Sequence, residues 1–267
     1  MEPKALQFRG AGTGNVACAI DLELLYATPR EREAFEARWL EFLASDPGHG
    51  EVLTREGAII RYPHKSWLPT AENGKPAVLF LFGNPAPHSV IADVYFAYEG
   101  NGAEHRFWKV LRELGFVDLF GDDENIKQRF LQLNYTSPFR LGFDVIYTFP
   151  SSASKPKWSG VLGVERLFGR AAIEILRGLE QQRLQKVMRD FLASGGAVIA
   201  MQKDAYNAIA QNAYDIKQAV AGTLMSEFDG LPVYGTPPTR WLYTSKMKDV
   251  LRRIKVDAAS NTTAQKG

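Results

Sequence analysis

The chain is short of cysteine: Cys18 is alone among 267 residues. That excludes an intrachain disulfide and a cysteine-built zinc site. It lacks any apolar run long enough to span a bilayer, and its acidic, glycine-containing start does not read as a secretory leader. A cytoplasmic protein is the expectation. Excess charge is missing as well, since 32 Lys and Arg face 30 Asp and Glu for a formal net charge of +2. A polybasic nucleic-acid coat is excluded, whereas a local basic face is not. No internal repeat and no low-complexity block appears before the polar end.

What is present is an ordinary globular composition, 45% hydrophobic and 23% charged, enough to bury a real core. Early on, "RGAGTGN" (9–15) has glycines but no preceding strand and no following Gly-Lys-Ser/Thr. The dinucleotide and P-loop readings fail that context, leaving a loop. Thr28-Pro29-Arg30-Glu31 is a helix start, with Thr28 as cap, Pro29 in the first turn and Glu31 closing a capping box. Phe35, Trp39, Phe42 and Leu43 then share one face, and "SDPGHG" (45–50) ends the helix. Residues 52–62 read as a hairpin turning at Glu56-Gly57.

From residue 75 the pattern becomes strands separated by helices. Strands are expected at 77–82, 143–147, 197–202 and 231–234. Helices are expected at 104–114, 123–133, 163–193 (with a break near Gly178), 205–212 and 246–255. This alternation predicts a three-layer α/β/α sandwich with a parallel sheet of about four strands. Residues 1–74 form an N-terminal helical and hairpin extension packed on a core of 75–256, and 257–267 are a mobile tail.

The run "AVLFLF" (77–82) stops at "GNPAP" (83–87). A strand buried on both faces that ends so abruptly is either a plain turn or the carboxyl edge of a parallel sheet, where ligands sit. "FGNPAP" followed by "YFAYEGNGAEHRFWKVLRELGF" (95–116) resembles the first motif region of the uracil-DNA glycosylase superfamily, closest to its mismatch-specific and single-strand-selective branches. Asn84-Pro85, Phe96-Ala97, the block Arg106-Phe107-Trp108-Lys109-Val110-Leu111 and Gly115-Phe116 match in order. "LGFDVIYT" (141–148), "GAVIAMQKDAYNAI" (196–209) and "LPVYGTPPTRW" (231–241) fall at the later strands, the last at the second motif. There Thr236 stands in place of an Asn or His, and Pro238, which has no N–H, in place of a serine. Phe82 occupies the first motif's first glycine position, with Gly83 one place late.

The resemblance implies a monofunctional DNA glycosylase, hydrolysing the N-glycosidic bond of uracil or a related base flipped out of DNA. It assigns Asn84 to water positioning, and Phe96 to stacking on the base. Gly83, Pro85, Ala86, His88 and Asp144 lie around the base. Thr236, Pro237, Thr239, Arg240 and Trp241 grip and wedge the DNA. No cofactor and no metal is implied; the partner is DNA, single- or double-stranded. Read as residues alone, Asn84 is equally a turn residue, Phe96 equally core, and Asp144 equally a loop cap. Lys155, Lys157 and Trp158 combine base and aromatic in one loop, as a nucleic-acid rim or as a solvated loop. The altered second motif opens two alternatives: a catalytically silent relative that binds nucleic acid or a protein, and a hydrolase of a free nucleoside or nucleotide.

Overall fold

The computed structural model describes residues 4–9, 16–64, 66–97, 103–119, 126–152 and 155–264. In chain order come β1 (Leu6–Arg9), β2 (Val16–Asp21), α1 (Leu22–Leu25), α2 (Pro29–Ala44), α3 (His49–Val52), β3 (Thr54–Glu56) and β4 (Ile59–His64). Then follow β5 (Ala77–Phe82), α4 (Pro87–Ile91), α5 (Arg106–Glu113), α6 (Ile126–Leu131), β6 (Arg140–Val145), α7 (Gly160–Phe168) and α8 (Arg170–Phe191). The chain finishes with β7 (Gly196–Ala200), α9 (Lys203–Asn207), α10 (Ile216–Ala221), β8 (Met225–Phe228), β9 (Leu231–Gly235) and α11 (Ser245–Ala264). Short 3-10 turns span Pro156–Trp158 and Thr239–Tyr243.

The chain forms two compact units that interleave in sequence. One takes Met1–Ser66, Asn84–Tyr95 and Tyr147–Leu184; the other takes Trp67–Gly83, Phe96–Ile146 and Gln185–Gly267. Both units draw on segments from either side of residue 75.

The first unit holds a four-stranded antiparallel sheet in the order β1-β2-β4-β3. The β3–β4 hairpin is as expected, pairing Glu56 with Ile59 across the turn. Strands β1 and β2 were not foreseen. β2 does alternate, with Ala17 exposed and Cys18 and Ile20 buried, but small residues carry little strand signal. Helix α2 starts as read: Thr28 Oγ1 accepts the Glu31 N–H at 3.3 Å, and Glu31 Oε2 accepts the Thr28 N–H at 3.2 Å. Its Phe35, Trp39 and Phe42 are buried, Phe35 against Phe168 at 5.7 Å and Phe42 against Phe149 at 5.9 Å. Such ring pairs add about 0.5–1.5 kcal/mol each beyond area burial. The expected break near Gly178 is instead at Gly169, whose φ of +81° closes α7; α8 runs unbroken through Gly178.

A buried polar knot fixes this unit. Glu180 Oε1 accepts both the Thr148 N–H (2.7 Å) and its hydroxyl (2.5 Å), and Oε2 accepts Arg183 Nε–H at 2.8 Å. Having given its proton to Glu180, the Thr148 hydroxyl accepts from Tyr62, 3.0 Å away. Each polar group of the knot thus finds a partner, which burial demands.

The second unit holds a five-stranded sheet in the order β6-β5-β7-β9-β8. The first four strands are parallel, and β8 joins β9 antiparallel at the edge. The unforeseen fifth strand is "MSEF", too polar and short to announce itself. Every residue of β5 and β6 is buried. Helix α5 lays Phe107 on Phe80, Phe82 and Phe143 at 5.5–6.1 Å, and α6 adds Phe130 at 4.7 Å from Phe143. Gly142, pointing to the opposite face from Phe143, has no room for a Cβ, which would lie 2.7 Å from Phe191 at the end of α8. Helices therefore cover both faces of a mixed α/β sheet, compatible with an α/β/α sandwich. At the end of the chain, α11 continues through Ala264 and buries Ala258, so the expected tail is helical to that point. Residues 10–15 of the glycine-rich stretch, the expected helix start at 123–125, and residues 265–267 lie outside the described residues.

Candidate functional site

Strand order fixes where to look. From β5 the chain goes to β6 on one side of it, then crosses to β7 on the other. Between β5 and β7 the order reverses, and in parallel sheets ligands bind beyond the carboxyl ends of the strands at such a point. Gly83-Asn84 follows β5, Met201-Gln202 follows β7, and Thr236-Pro237 follows β9.

Asn84 is held by its amide nitrogen. Nδ2 donates to Ser151 Oγ at 2.7 Å and to the Phe149 carbonyl at 3.2 Å. Ser151 in turn donates its hydroxyl to the Gly160 carbonyl (3.0 Å) and its N–H to the Pro85 carbonyl (3.1 Å). The loop is strapped from the acceptor side because Pro85 and Pro87 contribute no N–H. With both amide protons directed at the protein, Oδ1 is the atom left to accept from a ligand or water. Pro85 and Ala86 are half-buried, whereas Gly83 is buried. His88 is exposed on α4, yet enough protein crowds its ring to lower its pKa against the raising effect of Asp46.

Phe96 is half-buried with a left-handed φ of +51°, uncommon for an aromatic residue. Its ring meets Phe107 at 4.5 Å and His105 at 4.9 Å in tilted contacts, and Phe82 at 5.0 Å in a T-shaped one. His105 caps α5, its Nδ1 accepting the Phe107 N–H at 3.1 Å. Beside it on the same helix, exposed Arg106 lies 4.3 Å over the ring of Tyr243, which is 55% exposed. Tyr243 closes the 3-10 turn that carries half-buried Thr239 and Trp241 and exposed Arg240. The second unit therefore shows a basic, aromatic surface, and Tyr243 and Arg106 were missed as parts of it. Spacing hid them, because 137 positions separate the two residues.

Other expected site residues turn inward. Thr236 is fully buried, its Oγ1 within 3.2 Å of the Ala200 carbonyl and 3.1 Å of the Pro237 carbonyl. Its own carbonyl accepts the Tyr214 hydroxyl at 3.0 Å. No hydroxyl is offered to a phosphate, and Pro237 is buried too. Asp144 is fully buried in β6, with Oδ1 accepting the Val145 N–H at 2.7 Å. Trp158 is buried edge-on to Phe42 at 5.8 Å, so it is core and not a stacking platform. Lys157 sits over its ring and pairs with Glu41; Lys155 remains exposed. The basic residues of α11 are similarly engaged. Lys248 pairs with Glu113 and Arg252 with Asp249, while Lys255 Nζ donates to the Leu114 carbonyl at 2.7 Å. Arg240 and Lys246 are exposed and form no ion pair among the described residues.

After β7, Gln202 adopts φ +105° and ψ 171°, a region held almost only by glycine and costing roughly 1–3 kcal/mol otherwise. Two residues on, half-buried Asp204 has its carboxyl pKa raised by burial, against the lowering effect of Lys203. Neither was foreseen, since backbone strain leaves no mark in composition. Among the described residues, no group of three or more His, Cys, Asp or Glu could hold a metal, and no helix is long and apolar enough to cross a membrane. No protein-family model matches the chain, and no curated protein matches it either.

Proposed function

We propose that the chain is a monofunctional DNA glycosylase of the uracil type, with the parallel sheet as a uracil-DNA glycosylase-like core. Its substrate is uracil or a related damaged or mismatched base in DNA, its setting the cytoplasm, and it uses no cofactor. The observation that carries this is the anchoring of Asn84 at a strand end, with Nδ2 committed to Ser151 and Phe149. An amide held this way orients water through Oδ1 but cannot take its proton. The reaction then depends on cation character building on the sugar as the bond to the base breaks; the base leaves with the electron pair, water attacks C1′, and the water's proton passes to the departed base. Phe96 supports the reading as a half-exposed ring for an extruded base, a contact worth about 1–3 kcal/mol. Arg240, Trp241, Arg106 and Tyr243 supply cations and π-faces for the strand.

The test is incubation of the protein, in excess, with uracil, hypoxanthine and thymine-mismatch oligonucleotides, followed by alkali. Abasic product is expected from at least one; none from any of them removes the enzyme reading. Asn84→Ala should lower cleavage by about 10²-fold while DNA affinity changes little, and unchanged cleavage would take the water from Asn84.

A second reading has its own observation. With the Thr236 hydroxyl tied to backbone carbonyls, the Thr236-Pro237-Pro238 step offers no side-chain donor of its own. A superfamily member that binds DNA without excising a base would show salt-sensitive affinity and no abasic product.

A further inference from the structure

Asn84 can present either end of its carboxamide to a ligand, and the two ends do opposite things: the oxygen accepts and the NH₂ donates. The protein chooses between them. Nδ2 lies 2.7 Å from Ser151 Oγ and 3.2 Å from the Phe149 carbonyl. A carbonyl oxygen only accepts, whereas a hydroxyl does either. The shorter of the two contacts would therefore tolerate an amide turned over, unless something fixes the hydroxyl proton.

That proton is fixed one step further on. Ser151 is buried, and its hydroxyl donates to the Gly160 carbonyl at 3.0 Å. With its single proton engaged there, Ser151 Oγ can only accept from Asn84. The Ser151 N–H, donating to the Pro85 carbonyl at 3.1 Å, ties residue 151 to the same turn. Gly160 comes within reach because the chain closes on itself, Ser152 being bridged to Ser159 just before α7 begins. Asn84, Phe149, Ser151 and Gly160 all belong to the first unit.

We propose that Ser151 is the positioning residue of the site: its hydroxyl, committed to Gly160, locks the Asn84 carboxamide with Nδ2 on the protein and Oδ1 left for the ligand. Ser151 acts through Asn84 and touches neither base nor water. What Oδ1 orients rests on the glycosylase reading; the lock itself rests on the hydrogen bonds. Without the hydroxyl, the amide keeps only its longer bonds, and its plane can swing about the Phe149 contact.

Two measurements on the full chain test this. In the isotope-labelled wild type, both Asn84 side-chain amide protons should exchange slowly with water. In Ser151→Ala, at least one of them should exchange roughly tenfold faster. On whichever oligonucleotide the wild type cleaves, Ser151→Ala should lower the maximal single-turnover rate by roughly 10–10²-fold. The protein concentration giving half that rate should not change, since Ser151 meets no DNA. Fast exchange of both amide protons in the wild type overturns the inference, whether or not the variant folds. Equal exchange in the two proteins overturns it too, as does an unchanged maximal rate or a loss confined to half-saturation. If no oligonucleotide yields abasic product, the glycosylase reading fails, and amide exchange alone decides whether Ser151 locks Asn84.

Discussion

Asn84 and Thr236 each follow a strand of the parallel sheet by a residue or two, yet their side chains meet different ends. Asn84 spends its amide nitrogen on the protein, and its oxygen makes no hydrogen bond among the described residues. Thr236 spends its hydroxyl on the Ala200 and Pro237 carbonyls. The turn around Asn84 was legible because a buried apolar run cut off by Gly and Pro has few other meanings. The fate of the Thr236 hydroxyl was not, since a short side chain between strand and prolines turns in or out on geometry alone. Thr148 shows the same limit. Nothing in "VIYTFP" announces that its hydroxyl links Tyr62 to the buried carboxylate of Glu180. Thr148→Val, which keeps the volume but removes the hydroxyl, should lower unfolding stability by about 1–3 kcal/mol, measured by urea denaturation. A variant as stable as wild type would mean that the knot is not closed as described. Cys18 lies in the same surroundings, and burial, with Glu180 nearby, pushes its thiol up to about 12.

At the scale of elements, helices with caps and apolar stripes were readable, and their interruptions were not. The capping box of α2 and the aromatic block of α5 stand where their residues imply. Between α7 and α8, two glycines competed for the break, and propensity gives both the same standing. The structure separates them by conformation. Gly169 has φ +81° and its N–H returns to the Glu165 carbonyl at 2.9 Å. Gly178 lies in the middle of α8, exposed, with nothing within 4 Å of an added Cβ. Gly178→Ala should therefore stabilise by roughly 0.5–1 kcal/mol. Gly169→Ala should destabilise, because its Cβ meets a disfavoured backbone and lies 3.1 Å from Arg38 Nη2. Paired thermal melts decide the assignment, and equal shifts of one sign would refute it.

At the scale of the molecule, the alternation of strands and helices implied an α/β class, and each of the two compact units gathers segments distant in sequence. One property of the whole does follow from a few residues, the response of stability to acid. His49 is fully buried, stacked on Phe42 at 4.0 Å, with Nδ1 2.9 Å from the Phe42 carbonyl. Nδ1 is thus the protonated nitrogen, and Nε2 is buried with no hydrogen-bond partner among the described residues. Burial lowers the His49 pKa, while the Phe42 carbonyl and Asp46 work against it; His88 shifts in the same direction for the same first reason. Between the lowered native value and the unfolded value of about 6.5, the unfolded chain binds more protons. Stability therefore rises with pH across that window, and this contribution is lost as pH falls through it. His49→Phe keeps an apolar ring against Phe42 and removes the titration. Urea midpoints measured from about pH 7.5 down to 5 should fall less steeply for the variant than for wild type, whatever its absolute stability. Parallel curves would show that the His49 ring is not held neutral by burial and would shift the acid sensitivity to His88 alone.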